Sequence, residues 1–337
     1  ASHLKGLEHA VPNYRYIPFA GASGTAAPRD RIVDYLVAFS EQIGAPVRCG
    51  VEVKSLSRLE DGTGFRAETS TGIIEAKNVI AATGPFQKPI IPKLLPADSP
   101  ILQIHSANYR NPGQLPEGGV LVIGAGSSGV QIADELARSG RKVHLAVGPH
   151  NRPPRSYRGR DFVWWLGALG LWNVKTYDPA LEHVTIAVSG AHGGHTVDFR
   201  NLAASGITLV GRAESFEDGM MHFAADVARN IEAGDADYLS VLNAADAYIA
   251  REGLDFPEEP EARIIGPLPD CALNPVLSLD LAKAGITSIV WATGYALDFG
   301  WLKVGDFDQK GRPAHKDGVS PVPGLYFLGL AWLSRRA

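Results

Sequence analysis

The feature that most constrains the fold is a glycine-rich stretch at residues 118–136, with the sequence GGVLVIGAGSSGVQIADEL. An apolar run at 120–123 predicts a buried strand, an amphipathic helix pattern follows it, and 141–147 predicts a second strand. Between the first strand and the helix, three glycines fit the spacing G-x-G-x-x-G: Gly124, Gly126 and Gly129. This order of strand, turn, helix and strand is the setting in which such glycines bind a dinucleotide.

Each glycine has a predicted task at such a turn. Gly124 permits the tight turn, Gly126 lets a pyrophosphate approach the backbone, and Gly129 lets the helix lie close to the strand. The first turn of the helix offers unpaired N–H groups to phosphate, and the hydroxyls of Ser127 and Ser128 can add donors. We therefore expect a dinucleotide-binding turn, and the alternative is a tight turn that binds no ligand.

The second strand ends without the carboxylate with which an NAD site holds the ribose 2′-hydroxyl. Gly148 follows the strand, and no Asp or Glu occurs between Arg141 and Arg160. The loop instead carries four arginines: Arg152, Arg155, Arg158 and Arg160. Because a guanidinium suits a 2′-phosphate, we expect NADPH rather than NADH, with Arg152 and Arg155 ranked first. The alternative is a solvated basic loop.

Two similar strand endings lie on either side of this region, NVIAATGPF at 78–86 and SIVWATGY at 288–295. Each predicts a buried strand that ends in a Thr-Gly turn, at which backbone can approach a ligand or cross to another domain. The turns are Thr83-Gly84 and Thr293-Gly294. Their positions indicate a nested architecture, in which one dinucleotide-binding domain is inserted into another.

The other patterns are those of an α/β protein. Residues 29–43 predict a helix, 51–77 predict a β-meander, and short apolar runs at 79–82 and 325–328 predict strands. The apolar run at 162–172 is too short to span a bilayer, which requires about 20 residues. We expect it to form a core helix, with a substrate passage or a membrane contact as alternatives.

Composition excludes several classes of function. The 337 residues carry a net charge of −4, which gives no reason to expect nucleic acid as a partner. The two cysteines, Cys49 and Cys271, form no C-x-x-C, which argues against a disulfide framework and a dithiol redox centre. No third ligand accompanies His192 and His195, so no metal site is predicted. No signal peptide or integral membrane segment is found, and a cytoplasmic location is expected.

Six segments together carry a resemblance to a known family: ATGPFQKPIIP, IHSANYRNP, VIGAGSSGVQIADEL, PPRSYRGRD, VWATGY and GLYFLGLAWL. They occur in family order and cover nearly the whole chain from about residue 28. On these segments the chain resembles the flavin-containing monooxygenases of the bacterial FAD- and NADPH-dependent class B type, a group that includes the plant auxin-forming enzymes. The family motif F-x-G-x-x-x-H-x-x-x-Y keeps His105 and Tyr109, but Ser99 and Ile101 replace its Phe and Gly.

The resemblance implies an α/β fold with two nested Rossmann-like dinucleotide-binding domains. Residues 1–117 would belong to an FAD-binding domain that lacks its first glycine motif. Residues 118–295 would form the inserted NADPH-binding domain, and 296–337 would return to the FAD domain. On this interpretation the chain begins after the turn that binds the FAD pyrophosphate, and we expect it to hold FAD weakly.

The resemblance also implies the chemistry. NADPH bound by the inserted domain would reduce FAD, and the reduced flavin would use O₂ to oxygenate a small organic substrate. The cofactor-binding residues would include the two Thr-Gly turns and His105, a structural or flavin-proximal histidine, and no catalytic acid or base is identified. Two alternatives stay open, namely an NAD(P)H:flavin reductase with another electron acceptor and a non-catalytic nucleotide sensor associated with transport. The substrate and the oligomeric state are not predicted.

Overall fold

The computed structural model describes residues 29–174, 185–330 and 333. These residues fall into two compact units. The described parts of Ala1–Asn78, Gly190–Gly194 and Gly300–Val304 form the first unit. The described parts of three other segments form the second unit: Val79–Ser189, His195–Phe299 and Gly305–Ala337.

The first unit contains a helix and a three-stranded antiparallel sheet. The helix α1 is Arg29–Gln42, and the strands, in the order β1-β2-β3, are Val53–Arg58, Phe65–Thr69 and Gly72–Ala76. The predicted helix and β-meander are therefore confirmed. Leu56 and Phe65 are buried in this unit, whereas the apolar positions of α1 stay exposed, with Leu36 at 56% exposure.

The second unit contains the remaining strands and helices. The strands are β4 Val79–Ala81, β5 Lys88–Pro89, β6 Leu102–His105, β7 Gly119–Ile123, β8 Val143–Ala146, β9 Ser156–Tyr157, β10 Arg160–Asp161, β11 Thr208–Val210, β12 Ala213–Glu217, β13 Met220–Phe223, β14 Ser278–Asp280, β15 Ile286–Trp291, β16 Tyr295–Ala296 and β17 Leu325–Phe327. The helices are α2 Ser127–Arg138, α3 Phe162–Ala168, α4 Phe199–Ala204, α5 Val227–Glu252 and α6 Asp270–Leu273.

A five-stranded, entirely parallel sheet forms the centre of the second unit, in the order β11-β8-β7-β15-β6. Alternate side chains of β7 pack on opposite faces of the sheet. Val120 and Val122 pack with α2 on one face, and Leu121 and Ile123 pack with Trp291 on the other. Both faces are covered, which explains why this strand is apolar at every position.

The central sheet includes a strand from before residue 118. The strand β6 pairs with β15 over four residues, from Leu102 beside Ser288 to His105 beside Trp291. The sheet therefore takes one strand from the predicted 1–117 domain. The predicted domain boundaries themselves stay a prediction.

Four smaller sheets accompany the central one in the described residues of the second unit. The strands β12, β13 and β14 form an antiparallel sheet, and β9 pairs with β10. The strand β17 lies parallel to β4, which confirms the predicted strands at both ends of the second unit. The antiparallel pair of β5 and β16 joins the segments that follow the two Thr-Gly turns.

The apolar run at 162–172 forms the short helix α3 and then the 3₁₀ turn Leu171–Asn173. Trp165 is fully buried, but Val163 and Trp164 are 54% and 39% exposed. The expected core helix therefore contributes only one side to the core, since its other side faces solvent. In the part of the chain that the structure describes, no helix has the length and apolarity needed to cross a bilayer.

The 26-residue helix α5 is the longest element, and the sequence patterns do not single it out. A buried carboxylate on α5, Asp235, binds two arginines from other segments. Arg152 approaches it at 2.6 Å and Arg200 at 2.7 Å, with side-chain exposures of 3% and 12%. A further guanidinium bond from Arg152 goes to the carbonyl of Val197.

Removing the Asp235 carboxylate tests how much of the stability of the second unit depends on this cluster. Asp235→Ala is expected to lower the free energy of unfolding by about 3–5 kcal/mol, because it leaves the buried guanidinium of Arg152 without a counter-charge and Arg200 with only Asp198, at 3.7 Å. The measurement is chemical denaturation followed by circular dichroism. The control, Arg138→Ala, breaks an exposed ion pair with Asp134 and should cost less than about 1 kcal/mol. Equal losses for the two variants would contradict a structural role for the cluster.

Candidate functional site

The glycine turn joins β7 to α2 and touches the end of β15. Gly124 has a φ of +114°, and a Cβ there would lie 2.3 Å from the carbonyl oxygen of Ala292. A Cβ on Gly129 would lie 1.8 Å from the carbonyl oxygen of Gly124. Both contacts are with backbone, which cannot move aside, so the fold itself requires glycine at these two positions.

Gly126 differs from the other two glycines. Its φ of −73° is accessible to any residue, and it is the N-cap of α2. The nearest described atom to a Cβ there would be the methyl carbon of Thr185, at 3.2 Å. A small side chain at Gly126 would need Thr185 to move by a few tenths of an ångström, and the backbone of Gly126 is itself partly accessible.

The two serines of the turn have different environments. The N–H and the hydroxyl of Ser127 both donate to the carbonyl of Ile186, at 2.9 Å and 2.8 Å. The same hydroxyl accepts from the N–H of Val188, at 3.3 Å. Ser128 is exposed, and neither its N–H nor its hydroxyl bonds to a described residue. Ser127 thus holds the 186–188 segment, while Ser128 is available to an anion at the helix N-terminus.

The strand order fixes where a nucleotide could lie. The chain runs from β7 outward through β8 to β11, and β15 and β6 lie on the other side of β7. The order therefore reverses between β7 and β15, where Gly124 meets Ala292. In open parallel sheets, ligands bind at the carboxyl ends of the strands at such a switch point. The glycine turn lies at that point.

The two Thr-Gly turns are joined by the connector that follows the first. Gln87 donates its side-chain amide to the hydroxyl of Thr83 and the carbonyl of Gly84, both at 2.8 Å. Its amide oxygen accepts the N–H of Asp298, at 2.5 Å. Ile90, three residues after Gln87, donates its N–H to the carbonyl of Gly294 at 3.0 Å.

Both turns present bare backbone. Gly84 has a φ of +68° and Gly294 a φ of +80°, and no described atom lies within 4 Å of either Cβ position. All four residues of the turns are at least partly accessible. The two predicted turns are therefore linked by the connector, in which Ile90 bonds to Gly294, while Gln87, which the sequence patterns do not single out, holds the first turn.

His105 holds the second Thr-Gly turn. Its Nδ1 accepts the N–H of Ala107, at 3.1 Å, so the proton lies on Nε2, which donates to the carbonyl of Gly294 at 3.0 Å. Burial lowers the pKa of this imidazole below its ordinary value, and its ring meets Tyr295 edge-on at 5.0 Å. Because both ring nitrogens are engaged, His105 positions the turn. Tyr109, its partner in the family motif, donates its hydroxyl to Glu135 of α2 at 2.9 Å.

The arginine-rich loop runs along α5. Asn230 of α5 bonds to the carbonyl of Val147, and Asp246, further along the helix, bonds to Arg158 at 3.0 Å. At about 1.5 Å of rise per residue, these two points of α5 are about 24 Å apart. Arg160 lies beyond, over the ring of Phe256 at 4.7 Å. Arg158 and Arg160 are therefore far from the end of β8.

The two arginines ranked first for the 2′-phosphate are engaged elsewhere. Arg152 is only 2% exposed, binds Asp235, and lies over the ring of Tyr238 at 4.5 Å. Arg155 pairs with Asp161 at 2.8 Å, and its side chain is 20% exposed. The expectation that Arg152 binds the phosphate is corrected for a physical reason, since its guanidinium neutralises a buried carboxylate.

Replacing Gly129 tests its close contact with the carbonyl oxygen of Gly124. Gly129→Ala is expected to lower the free energy of unfolding by at least about 1–3 kcal/mol, because its Cβ has no space beside a backbone oxygen. Thermal and chemical denaturation measure this loss. Gly148→Ala is the control, because no described atom lies within 4 Å of its Cβ position. It should change stability by less than about 0.5 kcal/mol. Equal free energies of unfolding for Gly129→Ala and Gly148→Ala would contradict the contact between Gly129 and the carbonyl oxygen of Gly124.

Comparison with known proteins agrees with this geometry. Residues 11–167 match the family described as pyridine nucleotide-disulphide oxidoreductase. The uncharacterized oxidoreductase CzcO-like of Geobacillus kaustophilus is 31% identical over 312 residues, which is 91% of this chain and 72% of that protein. The flavin-containing monooxygenase iboF of Amanita muscaria is 32% identical over 142 residues, 39% of this chain and 25% of that protein.

Among solved structures, a flavin-containing monooxygenase from Stenotrophomonas maltophilia has a TM-score of 0.59 at 17% identity, over 96% of this chain and 75% of that chain. The likeness shows the fold and confirms the predicted α/β class with FAD/NAD(P)-binding topology. Similarity to the CzcO-like protein along most of its length shows the family. The matched pyridine-nucleotide family and the flavin-containing monooxygenases among the relatives imply a flavin cofactor and a pyridine nucleotide. The chain belongs to the family of the CzcO-like oxidoreductases, is related to the flavin-containing monooxygenases, and is an enzyme.

Proposed function

We propose that the protein uses NADPH and O₂ to oxygenate a small organic substrate with a bound flavin. The observation that carries the proposal is the selective opening of the glycine turn. Side-chain space is closed by backbone at Gly124 and Gly129, while Gly126 is partly accessible and Ser128 is exposed. A turn that is closed towards its own sheet and open at the helix N-terminus has the form that a pyrophosphate requires.

The strand order sets the direction of the nucleotide. In a sheet of this type, the adenosine half lies over the strands on one side of the switch point and the nicotinamide half over the other. Here β8 and β11 would carry the adenosine, and β15 and β6 the nicotinamide. The nicotinamide end would then approach Thr293 and Gly294, which follow β15 and are held by His105.

The two Thr-Gly turns fit a flavin beside that nicotinamide. Their exposed backbone at Gly84 and Gly294 offers close approach, and Ile90 of the connector after the first turn bonds to Gly294 of the second. Bound FAD would supply the transfer of electrons from NADPH to O₂. The role of the chain is to position both groups and to exclude water between them. We propose 118–295 as the nucleotide domain, with 1–117 and 296–337 on the flavin side.

The function is tested with the chain supplied with excess FAD. We expect oxidation of NADPH, and, in the presence of an accepted small organic compound, incorporation of one oxygen atom from ¹⁸O₂. Mass spectrometry of the products measures the incorporation. Flavin reduction with transfer of electrons to another acceptor and no label in any product would favour the reductase alternative. No NADPH oxidation at all, in a sample whose flavin absorbance shows that FAD is bound, would contradict both enzymatic alternatives.

Gly126→Val tests whether the turn is the pyridine-nucleotide site. The valine side chain would occupy the space in which the pyrophosphate meets the backbone, so NADP⁺ binding should be lost. Isothermal titration calorimetry measures the binding. A Cβ at this position would already lie 3.2 Å from the methyl carbon of Thr185, so circular dichroism must first show that the variant is folded. A folded Gly126→Val protein that binds NADP⁺ normally would exclude this turn as the site.

The two serines give a matched pair of variants at the same turn. Ser128→Ala should weaken NADP⁺ binding about tenfold, since a hydrogen bond to a charged group contributes about 1.5–3 kcal/mol. Ser127→Ala keeps the backbone N–H and should lower stability by about 1 kcal/mol, through the lost bond to Ile186, with a smaller effect on binding. Calorimetric titration and denaturation separate the two effects. The reverse result would assign the phosphate to Ser127.

A further inference from the structure

We infer that the 2′-phosphate of NADPH is bound by Arg212 and Arg229, two side chains outside the arginine-rich loop. The inference rests on the proposed function, because it presupposes that the glycine turn binds a pyridine nucleotide. It concerns the adenosine side of the site, at the carboxyl ends of β8 and β11.

Arg212 lies directly beyond the strand next to β8. The N–H of Val147, after β8, donates to the carbonyl of Val210, the last residue of β11, at 2.8 Å. The two strands therefore end side by side, and neighbouring strands are about 4.8 Å apart. The backbone of Arg212 is fixed there, because its N–H donates to the buried Asp226 at 3.0 Å. Its carbonyl accepts from Ala224 at 2.9 Å.

Arg229 reaches the same place from α5. It lies in the first turn of that helix, and the next residue, Asn230, donates its side-chain amide to the carbonyl of Val147 at 2.9 Å. Both polar groups of the Val147 backbone are thus bound by neighbours of the two arginines. Arg212 and Arg229 flank the point where an NAD site has its carboxylate.

Both guanidinium groups are accessible to a ligand. The side chains of Arg212 and Arg229 are 61% and 78% exposed. Their nearest described carboxylates, on Glu214 and Asp226, are 3.5 Å and 3.7 Å away. These separations exceed the 2.7–2.9 Å or so of a charge-assisted hydrogen bond. A phosphate dianion can therefore take both cations without breaking a short ion pair.

The arginine-rich loop offers no comparable cation near Val147. Arg152 and Arg155 hold carboxylates at 2.6 Å and 2.8 Å. Arg158 binds Asp246, far along α5, and Glu258, beyond the end of that helix. Arg212, which follows β11, and Arg229, in the first turn of α5, instead have only long contacts with carboxylates, at 3.5 Å and 3.7 Å. Their position also places the partial positive charge of the α5 N-terminus beside the phosphate.

The test compares NADP⁺ with NAD⁺, which differ only in the 2′-phosphate, by isothermal titration calorimetry on the full chain. The wild-type protein should bind NADP⁺ more tightly than NAD⁺. Arg212→Ala and Arg229→Ala should each weaken NADP⁺ about tenfold and leave NAD⁺ unchanged. Arg251→Ala is the matched control, because Arg251 is an exposed arginine at the opposite end of α5 and should have no effect.

The outcomes separate this inference from the proposed function. Wild-type protein that binds neither dinucleotide would overturn the nucleotide site and the inference with it. Equal wild-type affinity for the two ligands, or NADP⁺ affinity unchanged in both arginine variants, would overturn the inference alone. Loss of NADP⁺ affinity in Arg160→Ala but not in these variants would return the phosphate to the arginine-rich loop and also overturn it.

Discussion

The close approach of backbone at the glycine turn is the constraint on which the rest of the site depends. The carbonyl oxygens of Gly124 and Ala292 occupy the places that side chains would take at Gly129 and Gly124. As a result β7, α2 and β15 cannot be positioned independently. Thr293 and Gly294 follow Ala292 directly, so the contact that shapes the phosphate turn also places the second Thr-Gly turn.

A second organising element is α5, along which the loop after β8 is laid out. Asn230, Asp235 and Asp246 bind successive parts of that loop through hydrogen bonds and ion pairs. Much of the positive charge of the loop is neutralised within the fold, since Arg152 and Arg158 each pair with carboxylates of the same unit. A cluster of arginines in a sequence therefore indicates a binding surface only if its counter-charges are known to lie elsewhere.

The glycine turn, the β-meander and the strands before the two Thr-Gly turns could be predicted because their signals are local. The helix α5 could not, because its buried face includes Gly234, Asp235 and Ala245, which weaken the apolar periodicity. The pairing of Arg152 with Asp235 spans 83 residues, and no local pattern reports such a partner. The different environments of Ser127 and Ser128 could not be predicted from the sequence for the same reason, because Ile186 lies 59 residues from Ser127.

The antiparallel pair of β5 and β16 has a consequence for how the chain is assembled. Pro89 lies opposite Tyr295, so the long segment between them leaves and returns at one point. Its ends meet across a strand pair, with Cα atoms about 5 Å apart. The hydrogen bonds of this strand pair hold the two ends of the segment together, so its removal would leave a gap of only about 5 Å in the chain.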